Sequence, residues 1–72
     1  MKLSEFWVFM EHEFGASYAR VLAKDLVLGA LGDRTAQQAL DAGVDPRAVW
    51  EQVCIVQDVP ESRRFGPDIK PR

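Results

Sequence analysis

The side chains best suited to nucleophilic chemistry in this sequence are one cysteine, Cys54, and one histidine, His12. A thiol becomes a catalytic nucleophile when a neighbouring base such as histidine takes its proton. Cys54 lies between Val53 and Ile55, where a small buried hydrophobic residue is typical. His12 is flanked by two glutamates, which is typical of a solvated helix face. The sequence therefore predicts a structural thiol and a surface histidine rather than a catalytic pair.

The patterns expected of metal and cofactor sites are not found either. Zinc sites usually combine several cysteine and histidine ligands at close spacing, whereas the cluster Glu11-His12-Glu13 offers a single ligand of that type. Gly29 and Gly32 lack the preceding strand and the following lysine of a phosphate-binding loop. We therefore expect no catalytic, cofactor-binding or metal-binding residues. We expect no small-molecule substrate and no enzymatic activity.

The composition is that of a small globular domain. The chain has 72 residues, of which 47% are hydrophobic and 28% are charged, and this length holds one domain. A single cysteine excludes an intramolecular disulfide, which fits a reducing cytoplasm. Glu5, Glu11 and Glu13 interrupt the apolar residues near the start, so neither a signal peptide nor a membrane span is predicted. We expect a cytoplasmic protein that does not bind membranes.

Two or three helices are predicted in the first half of the chain. Ser4 can cap the first helix and Gly15 can end it. Its inner face is predicted from apolar residues at helical spacing: Phe6, Trp7, Met10 and Phe14. The second helix is expected to begin near residue 16, with Tyr18, Val21 and Leu22 as its apolar stripe. Residues 16–31 could form one helix or two. We favour a break after Lys24, with Asp25 capping a separate short helix that ends at Gly32, because one uninterrupted helix would be apolar around most of its circumference.

Two further helices are predicted in the second half. Thr35 and Gln38 form a capping box, and Gly43 ends the third helix. Asp45 and Pro46 supply the N-cap and first position of the fourth helix. The predicted inner faces are Ala39, Leu40 and Ala42, then Val49, Trp50, Val53, Ile55 and Val56. We predict an all-α fold, a small orthogonal bundle of four to five short helices over residues 1–58, with a flexible, disordered C-terminal tail over residues 59–72.

The third and fourth helices resemble a helix-turn-helix unit, joined by Gly43-Val44-Asp45-Pro46. A version that binds nucleic acid would use Arg47 and Gln52, together with Arg63, Arg64 and Lys70 from the tail. Residues 35–58, however, carry Arg47 against four acidic side chains. Contacts to phosphate supply most of the non-specific affinity for nucleic acid. The charge therefore disfavours nucleic-acid binding and favours a plain helical hairpin, with nucleic-acid binding as the alternative.

A protein partner is the favoured prediction. The first helix is so apolar that part of it should stay uncovered, and Val8 and Phe9 are the candidates for such an exposed patch. The tail adds Arg63, Arg64 and Phe65, whose charges and ring suit a pocket on a protein surface. We predict a non-enzymatic interaction or regulatory module that binds a protein through these residues.

One set of residues occurs in an order that points to a known family: Lys2-Leu3-Ser4-Glu5-Phe6-Trp7, Met10-Glu11, Phe14-Gly15, Tyr18-Ala19-Arg20, Asp25, Leu28, Leu31-Gly32, Arg34-Thr35, Ala39-Leu40, Gly43, Val49-Trp50, Cys54 and Val59-Pro60. In these residues the chain resembles, over residues 1–64, a family of short actinobacterial proteins of unknown function, DUF3046. The resemblance implies a small cytoplasmic helical protein with no assigned activity, cofactor or catalytic residue. Genes of the family often lie beside those of the DNA-strand-exchange recombinase and its small regulator. That neighbourhood implies a role near DNA recombination and repair by association, not by chemistry.

Overall fold

A computed structural model describes residues 1–64, which form four α-helices and a short β-ladder. The elements are α1 (Leu3–Phe14), α2 (Ala16–Asp25), β1 (Val27–Leu28), β2 (Arg34–Thr35), α3 (Ala36–Asp41) and α4 (Pro46–Val56). Single 3-10 turns cover Gly29–Leu31 and Glu61–Arg63. The predicted bundle of short helices is confirmed, and the β-ladder is an addition that the sequence pattern did not predict.

Helix α1 begins earlier than the capping pattern predicts. Lys2 is the N-cap residue, and its backbone N–H donates to Glu5 Oε1 at 2.8 Å. The Glu5 carboxylate thereby satisfies one of the backbone donors left free at a helix start. The predicted cap Ser4 lies within the first turn instead. Gly15 ends α1 with a φ of 89°, a conformation that side chains with a Cβ rarely adopt.

The chain leaves the helical conformation after α2, as predicted, but it forms a β-ladder instead of a separate helix. Val27 pairs with Thr35 and Leu28 pairs with Arg34 in antiparallel register. Asp25 is the last residue of α2 and not the cap of a new helix, so its predicted role is wrong. Leu28 is fully buried and therefore anchors the ladder to the hydrophobic core.

The predicted starts of α3 and α4 are confirmed by their hydrogen bonds. Thr35 Oγ1 accepts from the Gln38 N–H at 3.1 Å, and Gln38 Oε1 accepts from the Thr35 N–H at 3.0 Å. Asp45 Oδ1 accepts from the Arg47 N–H at 3.1 Å, and Pro46 is the first residue of α4. These local signals make α3 and α4 begin where the sequence indicates.

The core lies between the helices and consists entirely of hydrophobic side chains. Its members are Phe6, Phe9, Met10, Ala19, Leu22, Ala23, Leu28, Ala36, Ala39, Val49, Trp50, Val53, Cys54 and Val59. The predicted inner faces of α2, α3 and α4 need correction, because five residues placed in them are exposed: Tyr18, Val21, Ala42, Ile55 and Val56. In α2 the buried face carries Ala19 and Ala23 instead, since small residues allow a neighbouring helix to approach closely.

Helices α2 and α3 contact each other, and both bury alanines. Ala36 and Ala39 are the buried residues of α3. We expect Ala39→Leu to lower the free energy of unfolding by about 1–3 kcal/mol, because added methylenes overpack a close helix contact. Urea unfolding followed by circular dichroism measures this. Ala42→Leu, at an exposed position of the same segment, should change stability by less than about 0.5 kcal/mol; equal effects at the two positions would contradict this packing.

The packed part of the chain extends beyond residue 58, the predicted last residue of the helical bundle. Val59 is buried, and its N–H donates to the Cys54 carbonyl at 2.8 Å. The Arg64 carbonyl accepts from Trp50 Nε1–H at 2.8 Å. Residues 59–64 therefore pack against the helices and close the core on one side. The rest of the predicted tail, residues 65–72, lies outside the described residues.

Candidate interaction surface

The structure places Cys54 and His12 in different surroundings. Cys54 is fully buried in the core, and His12 is exposed on α1. Desolvation by burial raises the pKa of the Cys54 thiol to about 11. The thiol therefore stays protonated at neutral pH, and a thiol is a far weaker nucleophile than a thiolate. Within residues 1–64 no group of three or more His, Cys, Asp or Glu side chains is placed to hold a metal ion.

Burial of Cys54 has a consequence that alkylation can measure. We expect iodoacetamide at pH about 8 to modify the folded chain at least about a hundredfold more slowly than the urea-unfolded chain, because both access and thiolate fraction fall. Mass spectrometry of quenched samples follows the reaction. Similar rates in the two states would place the thiol in an accessible site and contradict the structural role assigned to it.

Val8 and Phe9 were predicted to form one exposed patch, but they lie on different sides of α1. Val8 is 51% exposed, but Phe9 is only 6% exposed and its ring lies 5.6 Å from that of Trp50. The expectation that Phe9 is exposed is therefore wrong; it is a core residue. Val8 has exposed Ser4 and His12 one turn before and after it on the same face. It is a single apolar side chain among polar ones and not the centre of a patch.

Arg63 and Arg64 hold the end of the described chain in place. Arg63 reaches Glu13 on α1 with its Nη2 2.9 Å from Oε2, and the Glu13 side chain is only 10% exposed. Arg64 Nε–H donates to the Val59 carbonyl at 2.9 Å. Both guanidinium groups thus have intramolecular partners, and their contacts are those of a fold-closing segment. The other tail candidates, Phe65 and Lys70, lie outside the described residues.

Helices α3 and α4, with the turn between them, have the succession expected for a helix-turn-helix unit. Arg47 is exposed near the start of α4, but its Nε lies 3.5 Å from Glu51 Oε2 on the next turn. Gln52 is partly exposed beside it, and the Asp45 carboxylate caps the helix. Residues 1–64 carry ten acidic and seven basic side chains. The face that would enter a DNA groove therefore presents a paired arginine in acidic surroundings.

Sequence reasoning missed the outward side of α4. Its buried side is formed by Val49, Trp50, Val53 and Cys54. The opposite side, which we call the α4 outer face, consists of Ala48, Glu51, Gln52, Ile55 and Val56. Ile55 is 57% exposed and Val56 is 48% exposed. The periodic spacing that marked these two residues as apolar was visible in the sequence, but the spacing was assigned to the core.

A second feature that the sequence did not indicate joins α1 to α2. The Arg20 guanidinium lies 4.3 Å from the centre of the Trp7 ring, and its Nη2 lies 3.3 Å from Glu11 Oε2. A cation over an aromatic face is attracted by the ring electrons. This group covers part of Trp7, which is only partly buried, and it stabilises the α1–α2 hairpin at the surface.

The family model described as Protein of unknown function (DUF3046) matches residues 1–62. The chain belongs to this family. Among curated proteins and solved structures, none matches the chain. In this DUF3046 member the matched region contains all four helices, the β-ladder and the α4 outer face. Within residues 1–64 of this DUF3046 member, no helix is long and apolar enough to cross a membrane.

Proposed function

We propose that this DUF3046 protein is a non-enzymatic interaction module that binds another protein through exposed apolar side chains of its helices. The observation that carries the proposal is the pair Ile55 and Val56, which are adjacent in the last turn of α4 and each about half exposed. Single exposed apolar residues are normal, but neighbouring ones leave apolar area that a binding partner can cover. Tyr18 and Val21 on α2 form a second exposed pair.

The surroundings of the reactive side chains support a role without catalysis. Catalysis requires a nucleophile or base that meets a substrate together with other polar groups. Cys54 lies in an apolar environment with a raised pKa, and exposed His12 is on a different helix. A buried reduced thiol also suits a reducing compartment, so we place the protein in the cytoplasm. We propose that it has no cofactor and no small-molecule substrate.

Nucleic-acid binding is a second candidate, favoured by the succession of α3, a short turn and α4. It would rely on Arg47, whose guanidinium pairs with Glu51, and on Gln52. A DNA-binding protein should retain labelled duplex DNA at low salt and release it steeply as salt rises. Fluorescence anisotropy of the full chain at about 50 mM and about 200 mM salt tests this. We expect no salt-dependent rise in anisotropy. The link to recombination and repair stays a prediction from the family resemblance.

An affinity pull-down from native lysate tests the proposed function. The full chain is the bait and a matched unrelated helical domain is the control bait. Each bait is applied to lysate with and without nuclease treatment. We expect a protein retained by this chain alone, in both lysates, that forms a stoichiometric complex when both components are purified. Retention that disappears after nuclease treatment would point to bridging nucleic acid and contradict the proposal, as would a bait that retains nothing.

A further inference from the structure

We propose that the α4 outer face binds an amphipathic helix of a partner protein, and that lysine or arginine residues flank the apolar stripe of that helix. This inference rests on the proposed function and adds to it the location of the binding surface and the chemistry of its occupant. The two pairs of exposed apolar residues, on α4 and on α2, are the candidates for that location. The α4 outer face is favoured by its spacing and by its charge.

The α4 outer face has the spacing of a helix-docking stripe. Ala48, Gln52, Ile55 and Val56 occupy positions i, i+4, i+7 and i+8, which lie on one side of an α-helix. Proteins that bind an amphipathic helix in a groove or in a coiled coil contact it through side chains at this same spacing. Ala48 is small, so the backbone of a second helix can approach the first turns of α4, while Ile55 and Val56 supply apolar area at its end.

The charge around α4 specifies the chemistry of the occupant. Asp45 precedes the helix, Glu51 lies on the outer face and Asp58 follows the helix. Arg47 is the basic residue of this stretch, and Glu51 is its ion-pair partner at 3.5 Å. An interface is favoured when opposite charges meet and disfavoured when like charges meet. The surface therefore fits a basic partner, whereas a second copy of this chain would bring acidic groups together.

The exposed pair on α2 lacks the acidic surroundings of the α4 outer face. Tyr18 and Val21 are about as exposed as Ile55. Their neighbours on α2 include both signs of charge, with Arg20 and Lys24 against Asp25. Basic residues are in excess on α2, so a partner helix flanked by lysine or arginine would meet net repulsion there. The α2 pair is therefore a matched control: Val21→Ala truncates an apolar side chain that is 50% exposed, against 57% for Ile55, but away from the proposed surface.

Titration of the ¹⁵N-labelled full chain with two synthetic helical peptides of about 18 residues tests the inference. Both peptides carry the same leucine stripe; one is flanked by lysines and the other by glutamates. We expect the lysine peptide to shift the amide signals of residues 48–56 and the glutamate peptide to leave them in place. Ile55→Ala should weaken binding of the lysine peptide about tenfold, since it removes apolar area from the contact without changing the charge. Val21→Ala should leave the affinity unchanged.

A second variant tests the acidic charge of the α4 outer face with a substitution that should leave the fold intact. Glu51→Lys replaces an exposed acidic residue whose ion pair contributes little to stability, and it should reduce the affinity for the lysine peptide and increase that for the glutamate peptide. Shifts confined to α2 would overturn the assignment to α4, and equal affinity for both peptides would overturn the basic chemistry of the partner. In either case a positive pull-down would still support the proposed function. No shift with either peptide would overturn this inference without bearing on the pull-down.

Discussion

Replacing Trp50 by alanine is expected to lower the free energy of unfolding by about 3–5 kcal/mol, which is most of the stability available to a domain of this size. Trp50 is 2% exposed, and its ring lies 5.6 Å from that of Phe9 and 6.4 Å from that of Phe14. Its indole N–H also donates to the Arg64 carbonyl at 2.8 Å. The substitution therefore removes a large apolar volume and releases the segment that closes the core.

Urea unfolding followed by far-ultraviolet circular dichroism measures the loss, and Trp50→Phe separates its two causes. The phenylalanine variant keeps most of the ring volume but lacks the donor, so we expect it to lose less stability than the alanine variant. A buried carbonyl left unpaired costs about 1–3 kcal/mol, and the bond from Trp50 to Arg64 is only part-buried, so we expect the loss from the missing donor at the lower end of that range. If the alanine variant unfolded at the same urea concentration as the parent chain, Trp50 would not be a core residue.

The second large effect distinguishes two neighbouring residues of α1. Phe9→Ala is expected to cost about 3–5 kcal/mol, because the 6% exposed ring packs edge-to-face against Trp50. Val8→Ala should change stability by less than about 0.5 kcal/mol, because Val8 is on the exposed face of the same helix. The pair is a matched test of the orientation of α1, since the two changes are adjacent in the sequence.

Thermal or urea unfolding of the two variants provides the measurement. With the milder changes Phe9→Leu and Trp50→Phe, the double variant should be less destabilised than the sum of the single variants, since the two rings contact each other. A costly Val8→Ala together with a neutral Phe9→Ala would show that α1 is rotated about its axis relative to this structure. It would also restore Phe9 as a candidate for partner binding.

Local signals in the sequence were enough to predict the helices and several of their ends. The Thr35–Gln38 capping box and the Asp45-Pro46 start act within one turn of the helix, so their hydrogen bonds form as the residues predict. Gly15 ends α1 for an equally local reason, its positive φ. Ser4 failed as a cap because Lys2 and Glu5 already satisfy the helix start through a bond between neighbours.

Features that depend on distant parts of the chain could not be predicted. Glu13 and Arg63 form an ion pair although they are 50 residues apart. The Arg64 carbonyl accepts from Trp50 only because residues 59–64 fold back over the core. The β-ladder likewise requires Val27 and Thr35 to meet across a turn. Residues 59–64 were predicted to belong to a flexible tail, because no local pattern in the sequence indicates these long-range contacts.

The candidate surface was missed because an apolar period does not tell which side of a helix is buried. Ile55 and Val56 have the spacing of core residues, and so do Val49 and Val53 one or two turns earlier. Packing of α1 and α3 against α4 decides which stripe is covered. The polar candidates were found by residue type. Glu51 lies four residues after Arg47 on the same helix, so their ion pair could have been predicted, whereas Arg63 pairs with Glu13, 50 residues away.

The central claim is that this protein binds its partner by covering apolar helix surface. Isothermal titration calorimetry of the full chain with the purified protein from the pull-down, repeated at several temperatures, tests that claim most directly. Burial of apolar area makes the heat capacity change of binding negative, so the account predicts a binding enthalpy that becomes more favourable as temperature rises. A binding enthalpy that does not change with temperature would contradict that claim.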